Sequence, residues 1–151
     1  MIIGRGIPGD RVSAMRSATT TGQVWSDIVL AGAGTLDSGS PCRPEVQASA
    51  VAQPRALSMF FAPGSRTHWH RHPGGQMLYT VSGEGWIQER GGEVVVMRPG
   101  DVVWTEPGVE HWHGATATAQ LVQLVLHFGD VEWTGEVDES AYAACAAAEP
   151  R

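Results

Sequence analysis

Between residues 55 and 128 apolar and polar positions alternate in short runs, each cut off by glycine or proline. Such alternation predicts strands joined by tight turns. The pattern places strands at 23–31, 46–52, 55–61, 66–70, 75–81, 84–90, 93–97, 102–105, 110–115 and 119–128. Turn signals separate them, among them Pro63-Gly64, Pro73-Gly74-Gly75, Ser82-Gly83, Gly91-Gly92 and Pro99-Gly100-Asp101. The run over 119–128, AQLVQLVLHF, has period two: Leu121, Gln123, Val125 and His127 share one face, and Val122, Leu124, Leu126 and Phe128 the other. Both faces are mostly apolar, so both should be covered. Gln123 and His127 then point into an enclosed space. Residues 1–20 carry no periodicity and read as a poorly ordered, arm-like leader, and 32–45 read as a loop. The alanine-rich end, 138–151, predicts a short helix with Asp138 or Ser140 as cap. The expected organisation is a leader at 1–20, a β-domain at 21–137 and a helical tail at 138–151. Strands of this length and spacing indicate an all-β sandwich or barrel.

Composition agrees. The chain has 151 residues, enough for one ordinary domain and cramped for two. Its 19 glycines and 9 prolines favour turns over a helical bundle. The formal charge is −6, and all ten basic residues are scattered arginines, which argues against a nucleic-acid surface. No apolar run reaches the length of a membrane span, and the first residues lack a secretion pattern. Cys42 and Cys145 match no metal or redox spacing; two spare thiols suit a reducing, cytoplasmic setting.

The histidines change the picture. Five of six fall in two clusters: His68, His70 and His72, then His111 and His113. Alternate residues of a strand share a face, so His70 and His72 can converge on one atom inside a barrel. Gln76 opens the strand after a Pro-Gly-Gly turn, where its amide oxygen can return to the same point. His111 follows the Glu106-Pro107-Gly108 turn and supplies a fourth donor. His113 shares the parity of His111. Trp86, Trp104 and Trp112 read as packing or interface residues.

These residues carry a resemblance. Gly64, His70, His72, Gln76 and Gly83 are spaced as in the first cupin motif, with Gln76 where that motif has Glu. Gly100, Gly108 and His111 match the second motif, in which Glu106 replaces the proline and Ala115 the asparagine. The stretches PGSRTHWHRHPGGQ, GDVVW, PGVEHWHGA and VEWTGEVDESAY further resemble small manganese cupins that include bacterial hydroxynitrile lyases. The resemblance implies a double-stranded β-barrel (jelly roll) with an N-terminal extension and a short C-terminal helix, usually a homodimer. It implies a divalent metal, manganese first, on His70, His72, Gln76 and His111. It also implies a substrate cavity lined by the strand of Gln123 and His127 and the strand of Leu57 and Met59. Leu78 and Val102 are expected to line or fill that cavity with them, favouring a small apolar or aromatic substrate.

Three imidazoles and one amide are neutral donors and leave a cation's charge uncompensated, which strengthens it as a Lewis acid. Mn, Fe, Co, Ni and Zn all suit the set. A buried His127 stays neutral at pH 7 and can act as a base, with Gln123 orienting the substrate and His113 in support. The expected function is a metal-dependent lyase of hydroxynitrile-lyase type. The alternatives are a cupin dioxygenase or other oxidoreductase, a biosynthetic isomerase, cyclase or decarboxylase, and a ligand-binding cupin without catalysis.

Overall fold

A computed structural model describes residues 14–31 and 54–148. The expected strand at 46–52, the loop at 32–45, Cys42, most of the leader and the last three residues lie outside the described residues.

Two antiparallel sheets curl toward each other. The first contains β1 (Ala14–Met15), β3 (Val24–Ala31), β4 (Pro54–Phe61), β12 (Leu121–Phe128), β7 (Gln76–Gly83) and β10 (Val102–Thr105), hydrogen-bonded in that order. The second runs β13 (Glu132–Gly135), β6 (Trp69–Arg71), β11 (His111–Ala115), β5 (Arg66–Thr67) and β2 (Thr20–Thr21). To β11 it adds β8 (Gly85–Glu89), which pairs in turn with β9 (Val94–Met97). One helix, α1 (Glu139–Ala148), follows. This is the expected cupin-type barrel with its short C-terminal helix. No helix among the described residues is long and apolar enough to cross a membrane.

The strands follow the alternation within a residue or two, with instructive differences. The expected strand at 66–70 divides around His68, whose backbone N–H donates to the Thr19 carbonyl (2.9 Å). β1, β2 and β13 had no counterpart in the pattern. Two residues are too few to show a period, and β13 is exposed at all four positions, so it has no apolar face to alternate. Glycine matters most where strands crowd. A Cβ on Gly114 would stand 2.5 Å from both the Ser65 carbonyl and the Arg66 Cα, so only glycine lets β11 lie this close to β5.

Residues of alternate parity fill two separate cores. Between the sheets lie Val24, Phe61, Leu78, Ile87, Met97, Ala115, Leu121 and Val125. Each large side chain buried there contributes about 1.5–3 kcal/mol. On the outside of the second sheet Trp69, Trp86 and Trp112 pack under Val137, Tyr142 and Cys145 of the C-terminal segment. The Tyr142 hydroxyl donates to the Ala115 carbonyl (2.8 Å). Arg66, almost fully buried, donates to the Val137 carbonyl and to Glu139, and its guanidinium lies 4.2 Å from the centre of the Tyr142 ring. The expected packing role of Trp86 and Trp112 is therefore met. Trp104 is instead half exposed on the outside of the first sheet, with Tyr79, Val81, Val102 and Leu124.

Candidate functional site

Strand register builds the site. β6 and β11 set His70 opposite His111. β12 lies between β7 and β4 and sets His127 opposite both Gln76 and Arg55. The ring centres of His70 and His111 are 4.4 Å apart, those of His70 and His72 5.3 Å, and those of His72 and His127 4.3 Å. All four rings and Gln76 are buried. His70, His72, Gln76 and His127 line a cavity of about 120 Å³, with Leu57 and Met59 on its apolar side. Ile28, Arg55 and Trp133 line it too and are partly exposed, which marks its mouth.

Backbone carbonyls fix the tautomers. Nδ1 of His70 lies 2.9 Å from the His68 carbonyl, Nδ1 of His111 3.0 Å from that of Val109, and Nδ1 of His127 3.0 Å from that of Gly129. A carbonyl only accepts, so each Nδ1 holds the proton and each Nε2 keeps a lone pair. Metal-binding imidazoles are oriented by the same device. Burial, with the neighbouring imidazoles adding to it, pushes His70 down to about 3 and His72 down to about 2. Burial also lowers His111 and His127. These rings are neutral at pH 7.

Two observations test this donor set against a cation. Both ring nitrogens of His72 are buried without a hydrogen-bond partner among the described residues, a costly state for a polar group unless something meets it. Nε2 of His111 and Oε1 of Gln76 stand 2.6 Å apart. As oriented, that contact joins two lone pairs, and a shared cation or a turned amide relieves it. The chemistry of the four donors fits a divalent ion. They are not yet gathered as a ready cage; among the described residues no three His, Cys, Asp or Glu side chains are.

The remaining expected residues divide. His113 is buried, lines the cavity, and donates from Nδ1 to Oε1 of Gln123 (2.9 Å). Gln123 is fully buried and does not line the cavity; its amide is engaged by His113 and by the Met97 sulfur (3.4 Å). Gln123, expected to orient a substrate, is placed by the structure against His113 and away from the cavity lining. Leu78 belongs to the core rather than to the cavity wall. Val102 is corrected as well. It is 61% exposed, because on β10 Val103 and Thr105 take the inward parity. His68 is half buried and serves through its backbone. The reading missed Arg16 and Arg55, which both line the cavity. Arg16 lies in the stretch read as leader. Arg55 shares its parity on β4 with Leu57 and Met59, a signal that was there to use.

Comparison with known proteins agrees with this geometry. Residues 57–128 match the Cupin domain family model. An (R)-mandelonitrile lyase of Granulicella tundricola is 43% identical over 103 residues, 66% of this chain and 79% of that one. The crystal structure of a cupin-like protein from Thermotoga maritima superposes with a TM-score of 0.73 at 32% identity, covering 92% of this chain and 97% of that one. A polyketide cyclase from Streptomyces resistomycificus shares the fold at a TM-score of 0.61 and 12% identity, covering 93% of this chain and 91% of that one. With the spacing of both motifs kept, its histidines turned into the barrel and a relative this similar, the chain belongs to the cupin family.

Proposed function

We propose that the protein is a metal-dependent lyase that cleaves or forms a C–C bond at a hydroxyl-bearing carbon, as a hydroxynitrile lyase does. Nε2 of His70, His72 and His111 and Oε1 of Gln76 would hold a divalent cation, with manganese the first choice and Fe, Co, Ni or Zn compatible with the donors. When bound, the cation supplies Lewis acidity toward a substrate oxygen. The observation that carries the reading is His72: a buried imidazole with two unpartnered nitrogens among three rings that present lone pairs.

The chain's own residues supply the proton chemistry. Nδ1 of His127 is tied to the Gly129 carbonyl, so its Nε2 is the free basic atom, and burial keeps it unprotonated at pH 7. In the cleavage direction Nε2 takes the hydroxyl proton of a cyanohydrin. The C–C bond to the nitrile carbon breaks, its electron pair leaves with cyanide, and a carbonyl remains. The imidazolium then returns the proton to cyanide, closing the cycle as HCN and aldehyde. Leu57 and Met59 present an apolar wall to the body of the substrate. The mandelonitrile lyase relative supports the reaction class.

The test is benzaldehyde release from mandelonitrile by protein reconstituted with Mn²⁺ and by protein stripped with EDTA. Release above the buffer rate that disappears on stripping and returns with Mn²⁺ is expected. Equal rates in both forms would reject the reading.

A further inference from the structure

The cavity has a charge that the proposed chemistry does not use. Arg16 and Arg55 both line it, and among the described residues no Asp or Glu does. In a chain of net charge −6, the described residues thus bring two guanidiniums and no carboxylate to one hollow. Among the described residues neither cation is held by a buried carboxylate. Arg55 meets only Asp130, at 3.6 Å, and that carboxylate is 93% exposed. Arg16 is half buried and donates from Nε to the Ser26 hydroxyl (2.6 Å). Among the six described arginines it alone has no carboxylate partner among the described residues. Arg66, almost fully buried, is by contrast held by Glu139 and the Val137 carbonyl.

Hydroxyl groups share the cavity with the two cations. Thr20, Ser26 and Thr67 line it, and Ser26 already orients the Arg16 guanidinium. Leu57 and Met59 lie beside them: Arg55 shares its parity on β4 with both, and β3 sets Ser26 opposite Met59. The cavity therefore offers cationic and hydroxyl groups to an anion next to a surface that suits an apolar body. A guanidinium offers several N–H donors in a fixed plane that fits a carboxylate. Low-dielectric walls strengthen that attraction above its value in open water.

We infer that the substrate of this cavity carries a carboxylate, received at the mouth by Arg55 and Arg16, with its apolar portion against Leu57 and Met59. The inference rests on the cavity being the substrate site proposed above, and it narrows the substrate class from apolar molecules to small apolar carboxylates.

The experiment measures binding of phenylacetate and of its neutral isostere phenylacetamide to the full chain by calorimetry, first after EDTA treatment so that no metal attracts the anion. The expected result is that phenylacetate binds about tenfold tighter, a preference that shrinks as salt rises. Arg16→Gln with Arg55→Gln should abolish most of the preference, and Arg16→Lys with Arg55→Lys should restore part of it. Circular dichroism confirms that each variant is folded. Equal binding of the two probes, or a preference that survives in the folded double glutamine variant, overturns the inference. The arms separate it from the lyase reading. A carboxylate preference without mandelonitrile cleavage leaves the anion site standing and removes the reaction. Cleavage without the preference does the reverse.

Discussion

The two ends of the barrel treat buried polar groups in opposite ways. Toward the closed end Gln123 is answered by the His113 ring and the Met97 sulfur, with Leu78, Ile87 and Leu121 among the buried core residues. At the open end His70, His111 and His127 spend one nitrogen each on a backbone carbonyl and keep a lone pair on the other, while His72 spends neither. Polar burial at the first end is an internal matter of stability and orientation. At the second it is incomplete without something from outside. A fold alone has no use for that second arrangement, since an unmet buried group costs about 1–3 kcal/mol.

The contrast can be broken from the open end first. His70→Ala with His111→Ala should reduce manganese, measured by elemental analysis, from near one ion per chain to near none. Mandelonitrile turnover should fall about a thousandfold or more. The far-ultraviolet circular dichroism should persist, because the strands rather than the ion close the barrel. A variant that keeps its metal would refute the ligand set. His127→Ala should keep the ion and lose about 10²–10⁴ in rate; metal lost together with activity would move His127 among the ligands.

Acid separates the ends from ordinary surface chemistry. In the unfolded chain these histidines take up protons near pH 6.5, whereas in the fold burial holds His70 at about 3 and His72 at about 2. The unfolded state therefore binds more protons between those limits. Stability is whole above about pH 6.5 and is lost as pH falls below it, by up to about 1.4 kcal/mol per pH unit for each such ring. Urea midpoints at pH 7.5, 6 and 5 should fall in that order, and a flat series would contradict the buried neutral rings. The closed end predicts a smaller effect. Gln123→Leu strands the His113 N–H and should cost about 1–3 kcal/mol in a urea melt. Val102→Ser on the exposed outer face should stay within about 0.5 kcal/mol.

How much of this was legible follows from what sequence patterns carry. Spacing within one strand is local, so His70, His72 and the turn before Gln76 could be read directly. His111 could be read as a donor because a glycine turn sets its strand apart. Pairing partners are not local. Gln123 and His127 share a face, and alternation cannot say that a bulge between Val122 and Gln123 brings Gln123 opposite Thr80 while His127 meets Gln76. Nor can it say that Gln123 closes on His113. Val102 shows the same limit from the other side: a four-residue strand of three apolar residues gives no clue to which parity faces inward. Arg16 and Arg55 were invisible as a pair because they come from segments 39 positions apart that meet only through β3 and β4.

The phenol of Tyr142 grips the Ala115 carbonyl, at the end of the strand whose inner face presents His111 and His113. The terminal helix is thereby a buttress for the cavity from the far side of its wall. Evolution or engineering that trims or burdens this tail works on the cavity by leverage, through a strand that carries histidines on one side and tryptophan on the other.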